Sequence, residues 1–167
     1  MDYETMTKEQ FKKLNADELH DPVLIWTSKF NPYMDLDAFN SAHDSIKVAV
    51  IVMMMHGEVL NGGFNQFICN GMHDLGFELY KEVYGIIGCA EVVALIKQLE
   101  QIYKANKGNL LNDRSAFESE QASIEAFSKS YENDPFEEIT EKYAEIQCEI
   151  EEKLFAYIME NIEHFGD

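Results

Sequence analysis

The chain has 167 residues, with 31 Asp and Glu against 13 Lys and Arg, a formal net charge of −18. Hydrophobic residues make up 46% and aromatics 12%, which excludes an acidic disordered tail and puts the charge on the surface of a folded domain. One arginine, Arg114, and no basic run argue against direct binding to nucleic acid or anionic membrane, since such binding neutralises phosphates with clustered cations.

The length suits one domain, residues 1–167, with a core large enough to need no cross-links. Cys69, Cys89 and Cys148 are odd in number and far apart. They form no zinc spacing and read as buried free thiols in a reducing compartment. The first ten residues are acidic and polar, with no apolar core for a signal peptide. The longest apolar run, Val48 to Met55, is too short to span a bilayer. These features imply a cytoplasmic protein. No cofactor is implied, and the oligomeric state, monomer or homodimer, is left open.

The predicted elements are all helical. Met6 to Leu19 reads as an amphipathic helix with Phe11, Leu14 and Leu19 inward. Asp21-Pro22 opens a short second helix through Trp26, and Asn31-Pro32 ends it. Asp37 to about Leu60 reads as a helix apolar nearly all round, as a central core helix is. Its β-branched run also permits a strand, but the methionines and the absence of alternation favour helix. Asn61-Gly62-Gly63 stops it, since glycine adopts the left-handed geometry cheaply. A short helix follows from Phe64 to Cys69, ended by Asn70-Gly71. Leu75 to Ile87 and Cys89 to Ala105 are the next two, parted at Gly88. Lys107-Gly108-Asn109 begins a loop to about Ser115, and Glu118 to Tyr131 is helical by pattern.

The last helix opens at Asp134 as N-cap with Pro135 in its first turn. At ~100° per residue, Ile139, Tyr143, Ile146, Ile150, Leu154 and Tyr157 share one stripe, and Glu137, Glu138, Glu141, Glu145, Glu149 and Glu152 lie opposite. Glu137, Glu141, Glu145 and Glu149 stack one turn apart at ~6 Å, where like charges cost a few tenths of a kcal/mol per pair. Helix formation does not require such a row. Glu118 to Asp167 holds fifteen acids against three lysines, a net of −12. Concentrated charge of this kind favours basic proteins, polyamines or metal cations as partners.

Catalytic patterns are absent from the sequence. His56-Gly57-Glu58 begins like a zinc deaminase motif but no Pro-Cys-x-x-Cys follows. The histidines form neither a zincin nor a di-iron pattern. His56 reads as a hydrogen-bonded core histidine, and Gly62-Gly63 as a helix stop without the strand a phosphate loop needs. The polar cluster Glu58, Asn61, Gln66 and Asn70 surrounds this glycine turn, amid Phe64 and Phe67. Its bland reading is a polar corner whose side chains satisfy backbone groups freed at the helix end.

The same stretch carries a resemblance. Glu58, Asn61, Gly62, Gly63, Phe64, Gln66, Phe67 and Asn70, then Ile87-Gly88-Cys89-Ala90, and finally Tyr157-Ile158, Asn161 and Phe165, resemble the family of the DNA mimic protein 19. This is a bacterial family, and the likeness covers roughly residues 42 to 165. The chain departs at Ile68-Cys69, where the family tends to carry a further aromatic. The resemblance implies an all-α single domain; the predicted elements make it about six to eight helices around a central apolar helix, with a long acidic C-terminal helix. It also implies a non-enzymatic acidic protein whose carboxylates stand in for DNA phosphates in the site of a basic protein, such as a transcription factor.

Duplex DNA carries about one charge per 1.7 Å of axis, so one glutamate row is too sparse to imitate it. Glu118, Glu120, Glu125, Glu132 and Asp134 are the candidates for a second row beside Glu137, Glu138, Glu141, Glu145, Glu149 and Glu152. Two other readings remain: an immunity or antitoxin-type inhibitor of a basic toxin, and a small-molecule protein or enzyme built on Glu58, Asn61, Gln66 and Asn70 lining an open pocket.

Overall fold

In the computed structural model, residues 3–15, 18–115, 129 and 132–166 are described, with side chains of 108–115 excepted. The described residues are helical and contain no strand. The α-helices are α1 (Lys8–Phe11), α2 (His20–Ser28), α3 (Leu36–Ser41), α4 (Asp44–Cys69), α5 (Phe77–Ile86), α6 (Ala90–Ser115), α7 (Glu137–Glu145) and α8 (Gln147–Glu160). Short 3-10 turns occupy Met72–Leu75 and Ile162–His164. The all-α expectation holds, with α4 as the long apolar helix.

Local chemistry sets several boundaries differently from the expected ones. The expected helix over Met6 to Leu19 is only α1, which ends at Phe11, and beyond it Asn15 and Glu18 bond each other. The Asn15 N–H donates to Glu18 Oε2 at 3.1 Å, and the Glu18 N–H donates to Asn15 Oδ1 at 3.2 Å, a reciprocal capping box. Leu14 is half-exposed, not inward. The expected helix from Asp37 is two helices, since Ala42 is extended with ψ 154°. Asp35 caps α3 by accepting the Ala38 N–H at 2.9 Å. The loop expected from Lys107 is instead the end of α6, which runs on to Ser115. One glycine inside a helix costs only about 1 kcal/mol relative to alanine and need not end it. The helix expected over Glu118 to Tyr131 lies outside the described residues.

The long C-terminal helix is broken. Ile146, at φ −106° and ψ 9°, separates α7 from α8. Its opening also differs: Asp134 turns back to accept the Phe136 N–H at 2.8 Å, and α7 starts at Glu137. Asp134 is therefore an Asx-turn residue two positions before the Phe136 N-cap.

The chain divides into two compact units. The first comprises 1–54, 83–89 and 147–167. Its core gathers Phe11, Trp26 and Phe165, with the Trp26 ring centroid 5.6 Å from Phe11 and 5.9 Å from Phe165. Gly166, at φ +91°, lies against the Thr7–Lys8 backbone so closely that a Cβ would strike it. Ile150, Leu154 and Ile158 of α8 are buried, whereas Tyr157 is only half-buried.

The second unit comprises 55–82 and 90–146. Phe64, Phe67, Tyr80 and Tyr143 form an edge-to-face aromatic chain, with centroids 6.3 Å (Phe64–Phe67), 5.0 Å (Phe67–Tyr80) and 5.5 Å (Phe64–Tyr143) apart. His56 Nδ1 lies 3.0 Å from Tyr143 Oη, the hydrogen-bonded core histidine expected. Lys81 bridges Glu78 and Glu100, the latter at 3.0 Å.

Helix α4 supplies residues to both units. By length and composition it is also apolar enough to cross a membrane, but Ala49, Ile51, Val52 and Met55 are fully buried within the fold. Of the thiols, Cys89 is buried, Cys69 half-buried and Cys148 exposed, so the expectation of three buried thiols holds for Cys89 alone. Burial pushes the Cys89 thiol up, an effect that the nearby Lys153 charge partly opposes.

Candidate functional site

The glycine pair is where the motif meets the acidic segment. Gly62 (φ −155°, ψ 27°) and Gly63 (φ 71°, ψ −176°) break α4. Gly63 is in the left-handed region that favours glycine. A Cβ there would lie 3.0 Å from Thr140 Cγ2 and 3.1 Å from Thr140 Oγ1. The kink frees the Phe64 N–H, which donates to Thr140 Oγ1 at 3.1 Å. Phe64 and Gly63 are buried. Thr140 thus ties the corner to α7. Sequence reasoning missed it, because a threonine between glutamates gives no signal of what it faces.

The four polar motif side chains satisfy one another instead of the backbone. Asn61 Nδ2 donates to Gln66 Oε1 at 3.0 Å. Gln66 Nε2 and Asn70 Nδ2 both donate to Glu58 Oε2 at 2.8 Å. Glu58 and Gln66 are half-buried, and Asn61 and Asn70 exposed. The structure therefore brings Glu58, Asn61, Gln66 and Asn70 together as a closed network. The backbone service expected of them falls to Thr140.

A shallow depression of about 290 Å³ lies beside this corner, lined by Gly62, Gly63, Asp134, Glu137, Thr140 and Glu141. None of the polar network lines it. Its lining is acidic, with Asp134, Glu137 and Glu141 beside Gly62, Gly63 and Thr140. Burial pushes the Asp134 carboxyl above its ordinary value, the Phe136 N–H draws it back, and the Glu137 charge adds to the rise.

The outer face of α7 exposes Glu137, Glu138, Glu141 and Glu145. Only Glu138 has a cation among the described residues, Lys142 Nζ at 2.6 Å. That hydrogen bond, with the lysine's charge, holds the Glu138 carboxyl below the ordinary range. Ile139 and Tyr143 are buried on the opposite side, so the expected division of faces holds within α7. Glu149 and Glu152 are exposed on α8, beyond the break at Ile146. Lys153 Nζ lies 2.5 Å from Glu149 and donates to the Gly88 carbonyl at 2.8 Å. The expected four-glutamate row is thus a continuous helical row only from Glu137 to Glu145.

Of the second-row candidates, Glu118, Glu120 and Glu125 lie outside the described residues. Glu132 is exposed, and Asp134 is half-buried and turned onto the α7 start. Among the described residues, no group of three or more His, Cys, Asp and Glu is arranged to hold a metal ion.

No curated protein and no solved structure matches the chain. The family model described as DMP19-like protein matches residues 40–161, a span that takes in the glycine corner, the depression and the exposed face of α7. The chain therefore belongs to the DMP19-like protein family.

Proposed function

We propose that the protein is a non-enzymatic acidic decoy that occupies the nucleic-acid site of a basic protein. One observation carries this reading: Glu137, Glu141 and Glu145 stand exposed on one helix, a turn apart, with no cation paired to them among the described residues. Like charges so placed cost helix stability and draw a cationic partner in a salt-dependent way. Family membership supports the reading, since DNA mimicry is what the resemblance implies.

Charge density sets what α7 does alone. Its three uncompensated carboxylates stand at ~6 Å intervals of rise. One DNA strand carries a phosphate about every 3.4 Å of axis. One helix therefore provides less than the charge of a single strand, and mimicry of a duplex draws on further carboxylates. The depression adds a feature that a plain charged face lacks. Asp134, Glu137 and Glu141 line it together with Gly62 and Gly63, a concavity suited to one long cationic side chain, Lys or Arg, of the partner.

The immobilised protein, incubated with native lysate at low and at high salt, tests the proposal by mass spectrometry of what it retains. The expected result is a basic nucleic-acid-binding protein held at low salt and released at high salt. Retention of no basic protein at low salt contradicts the proposal. Retention of a basic enzyme toxin would instead select the antitoxin-type reading, which shares the same charge logic.

A further inference from the structure

The corner at Gly62–Gly63 has a use for an oxygen at position 58, but none for a charge. In a straight helix Glu58 and Asn70 would stand ~18 Å apart, at 1.5 Å per residue. The kink at the two glycines brings them together, and Gln66 Nε2 and Asn70 Nδ2 both donate to Glu58 Oε2 at 2.8 Å. A carboxylate only accepts, so these contacts fix which way both amides are turned. Gln66 Oε1 is then left to accept the Asn61 Nδ2 at 3.0 Å. One carboxylate thus orients three amides. Glutamine at position 58 would accept the same two bonds, so the negative charge is surplus to holding the corner.

The network closes on itself and leaves three oxygens over. Glu58 Oε1, Asn61 Oδ1 and Asn70 Oδ1 accept no hydrogen bond among the described residues. Asn61 and Asn70 are exposed, and Glu58 Oε1 is not buried. Glu58 also has no cation paired to it among the described residues. Each amide keeps one N–H, but the carboxylate beside them repels an anion. The ligand class that remains is a cation rich in donors. An ammonium is a compact point charge, whereas a guanidinium presents five donors in a planar fork that bonds several oxygens at once.

We propose that Glu58, Asn61 and Asn70 form a guanidinium site, which takes an arginine side chain of the basic partner. The proposal rests on the decoy reading for the source of the arginine. Asn61 adjoins Gly62, which lines the acidic depression with Asp134, Glu137 and Glu141. All of these residues belong to the second unit. The site therefore adds to the exposed face of α7 a carboxylate that is held in place before the partner arrives. It also selects arginine, where a bare row of glutamates takes any cation.

Argininamide tests the site on the isolated protein, with lysinamide, of the same charge, as control. Each is titrated while the side-chain amide signals of Asn61, Gln66 and Asn70 are followed in a proton–nitrogen spectrum. The Asn61 and Asn70 signals are expected to shift saturably with argininamide, at lower concentration than with lysinamide. Glu58→Gln is expected to keep the parent's Tm and to bind argininamide about tenfold more weakly, the size of one charge-assisted hydrogen bond. No saturable shift in the parent, equal titrations with the two amides, or unchanged binding in Glu58→Gln overturns the proposal. Should the variant not fold, the parent's two titrations decide by themselves. The probe needs no partner, so a lysate that yields no basic protein sinks the decoy reading and leaves this result standing. A failed titration sinks the guanidinium site and leaves the glutamates of α7 as the decoy.

Discussion

Gly63 and Thr140 show how much of the corner rests on two atoms' worth of space. With φ at 71°, Gly63 takes a conformation that a side chain strains, and its Cβ would press on the Thr140 methyl and hydroxyl. Gly63→Ala is expected to cost about 1–3 kcal/mol, read as a lowered Tm. Thr140→Val keeps the shape but removes the acceptor of the buried Phe64 N–H. It is expected to cost a similar 1–3 kcal/mol, about what an unsatisfied buried amide costs. Asp134 carries a pH dependence of known sign. Its carboxyl is raised above the ordinary 3.8, first by burial. Ionised Asp134 therefore destabilises the fold above the raised value, and the cost is lost as pH falls through it. Asp134→Asn retains an oxygen for the Phe136 N–H and is expected to be more stable than the parent at neutral pH. The gap between their melting temperatures should close as pH falls toward about 4.

At the level of elements, sequence periodicity located helices wherever one face was buried. Trp26, Ile51, Leu99 and Leu154 all lie in helices the apolar spacing predicted, and all are buried. Gly62–Gly63, Gly71 and Gly88 interrupt the chain as their lack of a side chain foretells. The failures share one physical cause, competition between local alternatives that periodicity does not weigh. Asn15 and Glu18 bond each other reciprocally instead of continuing α1, Gly108 stays helical, and Ile146 breaks a helix with no Gly or Pro present. Helix α7 itself offers a test in which stability and binding move oppositely. Glu141→Lys places an ammonium one turn from both Glu137 and Glu145, replacing two repulsions by two attractions at about 0.2–0.5 kcal/mol each. The variant is expected to melt higher than the parent while losing affinity for the proposed basic partner. Unchanged binding with a raised Tm would mean that the row serves only solubility.

The whole molecule carries its charge unevenly, with a net of −12 in the last fifty residues, and that much was visible in the sequence. Which carboxylates remain free was not. Lys142 engages Glu138 and Lys153 engages Glu149, whereas Glu137, Glu141 and Glu145 have no cation among the described residues. Nor was the depression legible, because it depends on α7 packing against the glycine corner through Thr140, a contact separated by 76 residues. The motif itself was legible as a corner, yet its side chains bond one another where backbone service was expected. The central claim is that exposed carboxylates stand in for phosphates, and competition with DNA tests it most directly. The basic protein retained by the immobilised chain at low salt is challenged with increasing duplex DNA. Duplex DNA is expected to displace it, and Glu137→Lys with Glu141→Lys is expected to weaken its retention. A partner that binds the protein and duplex DNA simultaneously, with no mutual displacement, would contradict the claim.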